Sequence, residues 1–271
     1  MPCSPILPFP LNRNSEMSDK GLNVPFFQHL EEIRARLLIC CLAVGIGFAV
    51  SYFFSARIFA VLMKPWVEAM PPGQSAKLIY TAPHEAFFVY MKVSFIMGTL
   101  LAIPVIVWQI WRFVAPGLFA NEKKYMLPVI FFSSFCFIGG VLFGYFVVIP
   151  VAFKFFASFS SEYITPMLRT TEYLSFANKM LLCFGLAFEL PVFAFFLAKL
   201  GLVSAGFLKR KRKWAIVLIF IAAAVLTPSP DIVSQLLMAV PLVVLYETSV
   251  WIVHFSGGKP FKTGEEAGSS A

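Results

Sequence analysis

Charge is scarce in this chain: only 13% of its 271 residues are Asp, Glu, Lys or Arg, about half the share usual in soluble domains. With 59% hydrophobic residues, 32 Phe and a mean hydropathy of +0.81, too little polar surface remains to cover a water-facing body. Histidine is sparse too, and His29, His84 and His254 are too dispersed for a metal site. The five cysteines form no CxxC pair. Cys40, Cys41, Cys136 and Cys183 stand inside apolar runs, where Cys packs as a small hydrophobe. No nucleophile–base grouping, glycine-rich phosphate loop or HExxH motif occurs, so neither an enzyme nor a cofactor is expected. The net charge of +8 is no nucleic-acid footprint, because the basic residues lie between hydrophobic runs and form no stripe.

What the chain does have is long apolar runs, and residues 25–38 introduce the first. Phe26, Leu30, Ile33 and Leu37 recur at spacings of four, three and four, which places them on one side of a helix, with Gln28, Glu31, Glu32 and Ala35 on the other. Pro25 suits the first turn, Glu32 can pair with Arg36 at four, and Glu31 can reach Arg34 at three. An amphipathic helix at the water–lipid boundary is therefore expected to feed directly into a transmembrane helix over 37–54. The first 24 residues hold four prolines and no apolar run of signal-peptide length. Met17 offers an alternative start, which would leave residues 1–16 as an upstream extension.

Further spans are expected over 93–111, bent near Pro104, within 125–153, and over 180–198. The polar excursion over 57–85 is long enough to carry its own short helix. Residues 214–226 form an apolar run of only thirteen, and 232–246 returns after a turn at 227–231, broken by Pro241 and ended by Glu247. Thirteen residues reach about 20 Å, roughly 10 Å less than a hydrocarbon core. These two runs are either short fifth and sixth spans or a re-entrant hairpin. Counting six spans, Lys and Arg number fifteen on the amino-terminal side and five on the other. Both termini are then cytoplasmic by the positive-inside rule. The expected organisation is a flexible extension over 1–24, a six-helix transmembrane domain over 25–255 and a cytoplasmic tail over 256–271.

A few polar residues stand out. Glu189, near the midpoint of the fourth span, is expected to face protein or a wet cavity, because a lipid-exposed carboxylate costs about 2.5–3.5 kcal/mol on insertion scales. It would serve equally as a polar contact between helices or as the proton carrier of a proton-coupled small-solute transporter. Thr227 and Gln235, on the short hairpin, can bond an internal neighbour or a partner helix. Glu32 and Glu122 are acids on the basic side of the membrane. Each has a local use, Glu32 as the partner of Arg36 and Glu122 as a helix-start acid. Together they would form an acidic pair suited to a basic ligand, preferably Arg with its bidentate fork.

Five motifs in order then carry a resemblance that covers nearly the whole chain. Residues 29–37 (HLEEIRARL) resemble the HLEELRxRL opening of the TatC family, the receptor subunits of the twin-arginine protein translocase. The likeness continues through 111–118 (WRFVAPGL), 143–153 (FGYFVVIPVAF), 184–191 (FGLAFELP) and 227–235 (TPSPDIVSQ). It implies an all-α polytopic fold of six tilted helices, cupped, with short fifth and sixth helices and cytoplasmic termini. It also implies a receptor in a bacterial inner membrane that binds Arg-Arg signal peptides for export of folded proteins driven by the proton motive force. By position, Glu32 and Glu122 match the acids that bind the paired arginines. Arg34 belongs to the same motif as Glu32, Phe113 and Pro116 match the adjoining loop, and Pro65 matches a proline of the first periplasmic loop. Glu189 matches an acid of the concave face. Thr227 and Gln235 match positions where single-span TatA-like and TatB-like partners dock, alongside self-association in the receptor complex. Ile33 in place of the usual Leu, and Lys123-Lys124 where some relatives carry arginines, leave the acids undisturbed.

Overall fold

The computed structural model describes residues 24–70, 78–114, 126–159, 167–227 and 232–256. Among them every extended element is helical, and the one β feature is an isolated parallel bridge between Ile79 and Arg169. By internal contacts the chain divides into two compact units, Met1–Leu42 and Ala43–Ala271.

The first helix, α1 (Val24–Phe53), is continuous over 30 residues, so the expected amphipathic start and first span are one element. From Leu37 onward its large side chains are open: Leu37, Leu42 and Ile46 are each more than half exposed. A soluble protein does not present such a row, whereas a helix in hydrocarbon does. After one turn residue comes α2 (Ser55–Ala69), the short helix expected in the first polar excursion.

Helix α3 (Pro83–Val114) starts ten residues before the apolar run that marked it, with Pro83 at its first position and Pro104 inside. Next, α4 (Met126–Phe143) passes through a π-helical turn (Gly144–Val148) into α5 (Ile149–Ala157). The Ile149 amide donates to the Gly144 carbonyl, five residues back. The widening falls just before Pro150, whose ring would crowd the carbonyl four residues earlier in a regular α-helix.

Helix α6 (Thr170–Lys199) runs through Pro191 and ends on Gly201, whose φ of 71° is open to glycine. There the Gly201 amide bonds the Ala198 carbonyl and the Leu202 amide bonds Leu197, both at 3.0 Å, a Schellman close. Ser204 then caps α7 (Ala205–Leu226) by accepting from the Phe207 amide at 3.2 Å. The last helix is α8 (Ile232–Phe255).

Among the described residues five helical segments are long and apolar enough to cross a membrane: Leu30–Phe53, Pro83–Phe113, Leu127–Ala157, Thr170–Lys199 and Ile232–Phe255. Two expectations change. The thirteen-residue apolar run belongs to a helix of 22, because the five cations from Lys209 to Lys213 lie within α7 rather than before it. And the sixth helix is not short: α8 has 24 residues and passes both Pro241 and Glu247. Glu247 does not end it, because Arg212 of α7 donates to its carboxylate at 2.7 Å and pairs the charge. Pro241 removes a single backbone bond.

The larger buried cluster joins α2, α3, α5, α6 and α8 around Trp66, Phe153, Tyr173, Met180, Phe184 and Met238. Trp66 meets Phe153 edge-on at 5.3 Å between centroids, while Phe153 stacks on Tyr173 at 5.2 Å. A second cluster packs α3, α4 and α6 around Trp111, Phe137 and Phe196.

Candidate functional site

In the amino-terminal unit, Glu32 lies on the continuous α1 where polar residues give way to apolar ones, and Arg36 donates to its carboxylate across one turn. The local use foreseen for Glu32 is realised, so its carboxylate is already engaged by its own helix. Arg34 is exposed, and Glu31 forms no ion pair with it. Phe113, near the end of α3, is half-buried and has contacts of its own. Pro116 and Glu122 lie outside the described residues.

Within the larger unit, Glu189 on α6 is only 6% exposed and accepts a hydrogen bond from the Ser133 hydroxyl of α4. Its Oε1 has no hydrogen-bond partner among the described residues. The midpoint acid therefore faces protein, as the insertion penalty requires. One turn from this pair, Val129, Cys136 and Val192 line an apolar groove of about 370 Å³ between α4, α6 and α8, with Pro128, Pro191 and Ile252 on its walls.

Thr227 is 9% exposed and donates to the Ala223 carbonyl at 3.0 Å, closing the end of α7. Gln235 is half-buried and donates to the Phe220 carbonyl at 3.0 Å, tying α8 to α7. Of the two uses foreseen for these residues, the internal one is present in the isolated chain.

Pro65 sits inside α2 rather than in a loop. Having no N–H, it cannot bond the Val61 carbonyl four residues back. The Tyr145 hydroxyl of the π turn donates to that same carbonyl at 2.6 Å. Next to it, the Tyr173 hydroxyl donates to Leu62 O. Two phenols thus hold α2 by its backbone.

One constellation was not anticipated. Glu85, in the first turn of α3, is 6% exposed and accepts from the Thr81 amide at 2.9 Å and from the Thr171 hydroxyl. Arg169 lies 3.7 Å from the same carboxylate and donates to the Thr81 hydroxyl at 2.7 Å. The bridge beside it completes the tie, with the Thr170 amide on Ile79 O at 2.9 Å. A Pro at the first helical position with Glu two residues later was a readable sign of this helix start.

No group of three His, Cys, Asp or Glu side chains among the described residues could hold a metal. The described residues are those of an all-helical membrane protein whose spans bury polar contacts and expose many large apolar side chains. Comparison with known proteins narrows this. Residues 28–241 match the family model described as Sec-independent protein translocase protein (TatC). The TatC protein of Desulforapulum autotrophicum is 47% identical over 255 residues, covering 94% of this chain and 93% of its own. That of Carboxydothermus hydrogenoformans is 41% identical over 245 residues, covering 90% and 98%. A crystal structure of the twin arginine translocase receptor TatC superposes with a TM-score of 0.76 at 36% identity, covering 84% of this chain and 99% of the other. The chain belongs to the TatC family. It is a membrane component of the Sec-independent protein translocase, a protein-transport subunit and not a catalyst.

Proposed function

We propose that this chain recognises signal peptides bearing paired arginines, with Glu32 and Glu122 as the acids that receive the two guanidinium groups. Arg34, Phe113 and Pro116 flank that site, and the apolar stretch of the peptide lies in the groove beside Glu189. The observation that carries the reading is the family match over residues 28–241, which includes both acids, together with the position of Glu32 at the start of a long apolar helix. A carboxylate at the bilayer surface offers the two oxygens that a guanidinium fork requires. Glu32 presently serves Arg36, so an incoming arginine exchanges with a residue of the same chemistry.

In this reading α7 crosses as the fifth of six spans with both termini in the cytoplasm of a bacterium, as the fifteen-to-five distribution of basic residues favours. Single-span TatA-like and TatB-like subunits assemble on the α7–α8 side, with Thr227 and Gln235 exchanging internal bonds for bonds to them, and copies of the receptor associate. Transport of folded cargo then draws on the proton motive force. Family membership sets aside the small-solute transporter considered for Glu189.

Charge reversal tests the assignment. Glu32→Lys combined with Glu122→Lys is expected to abolish binding of an Arg-Arg signal peptide to the purified receptor complex while leaving its elution volume unchanged. Wild-type affinity in that double variant would overturn it.

A further inference from the structure

A second apolar cavity, of about 390 Å³, lies between α2, α3, the end of α4 and the π turn, and it shares no lining residue with the Glu189 groove. Its walls are three stripes at helical spacing: Val61 from α2, Val93 and Leu100 from α3, and Leu142 and Phe146 from α4 and the π turn. Val61, Leu142 and Phe146 are 48%, 49% and 67% exposed, so the slot opens outward to where lipid lies. One lining residue is charged. Arg57, in the first turn of α2, is exposed and has no carboxylate within 4 Å among the described residues.

The electrostatics at that end ask for an anion. A cation in the first turn opposes the helix dipole, no acid stands in that turn, and Phe54 at the N-cap supplies no side-chain acceptor. The lining selects the anion's carrier. Apart from Arg57 and Tyr145 the side chains lining the slot are apolar, and it opens to the bilayer, where hydrocarbon chains are the surrounding medium. A hydrocarbon chain is narrow enough to run its length. We infer that the slot binds an anionic phospholipid, one acyl chain along the three stripes and its phosphate on the Arg57 guanidinium and the start of α2. The lipid joins α2, α3 and α4, and Tyr145 and Val61, which share a hydrogen bond, both line its slot.

Native mass spectrometry of the purified full chain, titrated with phosphatidylglycerol or phosphatidylcholine, reads this directly. Wild type is expected to retain one phosphatidylglycerol more firmly than phosphatidylcholine. Arg57→Gln is expected to weaken that retention about tenfold, as the loss of one charge-assisted bond implies. Ile96→Trp, which fills the slot, is expected to remove both lipids, and Val61→Phe does the same if the tryptophan disturbs the fold. Inorganic phosphate is expected not to compete. Equal retention of the two lipids by wild type, or an unchanged preference in Arg57→Gln, overturns the headgroup assignment. Undiminished retention in the slot-filling variants overturns the slot, and displacement by inorganic phosphate makes this a free-anion site instead.

Discussion

Gly47 of α1 and Gly98 of α3 face each other so closely that a Cβ on Gly47 would lie 2.4 Å from Gly98 O. A Cβ on Gly98 would lie 2.4 Å from the Phe48 amide nitrogen. Backbone, not a flexible side chain, occupies the space on both sides. In a membrane, where burial from water supplies no force between helices, such small-residue contacts let main chains approach and gain dispersion energy. Gly98→Val is therefore expected to push the helices apart and destabilise the protein by about 1–3 kcal/mol or more. A lowered midpoint of thermal unfolding in detergent would show it. Gly45→Val, whose Cβ meets nothing within 4 Å, is the control that stays near wild type.

Tyr145 and Pro65 form a coupled pair through an atom of neither residue. Pro65 leaves the Val61 carbonyl without its helical partner and the Tyr145 hydroxyl takes that place. Tyr145→Phe is expected to destabilise by about 0.5–1.5 kcal/mol, the net contribution of one hydrogen bond. In a Pro65→Ala background, where residue 65 regains its N–H, the same substitution should cost less. A double-mutant cycle on unfolding midpoints measures the difference, and strict additivity would contradict the shared-carbonyl account.

Glu85 holds the segment before α3 to the start of α6 through Thr81, Arg169 and Thr171. Glu85→Ala is expected to leave the helices intact but speed amide exchange at Thr81, which loses its acceptor, and at Thr170, whose bond to Ile79 the cluster supports. Exchange at Ala177, in the buried middle of α6, should not change. Glu85→Gln, whose one amide oxygen can still accept from the Thr81 amide while its NH2 donates to the Thr171 hydroxyl, should recover part of the protection.

The Glu32–Arg36 pair competes with an incoming signal peptide if Glu32 is a docking acid. Removing the competitor with Arg36→Gln is expected to tighten binding of an Arg-Arg peptide about twofold, the equivalent of the ~0.5 kcal/mol that a pair at this spacing contributes. Fluorescence titration of a labelled peptide onto the purified receptor complex would reveal it, and the gain should shrink at high salt.

Periodicity and apolar runs located most of the helices, yet they misjudged where helices stop. Hydropathy marks where a helix leaves hydrocarbon, not where its backbone bonds end. For that reason α7 continues through Lys209 to Lys213, α8 continues past Glu247, and α3 begins at Pro83 and not at Val93. At Glu247 the reason is a partner 35 residues away in sequence, which no local pattern reveals. Of the site residues, Glu189 was recognisable because an isolated acid in a span has to be buried or wet. Its bond to Ser133, 56 residues distant, was not recognisable. Glu85 was overlooked because it closes the excursion over 57–85 that was read as polar, and its burial depends on Thr171 and Arg169 from a remote segment. The pairing of Glu32 with Arg36 was legible from their spacing, and the structure realises it.

The π turn at Gly144–Val148 also sets a rotational phase. In a helix of 3.6 residues per turn each residue advances the chain by about 100°, and a π turn absorbs one surplus residue without losing continuity. Deleting a single codon there would let the segment relax to ordinary α geometry and swivel everything downstream by roughly that angle. Phe153 would then swing off Trp66 and Tyr173 toward the hydrocarbon, although no residue in the contact had been altered. Length between Phe143 and Ile149 thus encodes which way the far end of that helix looks.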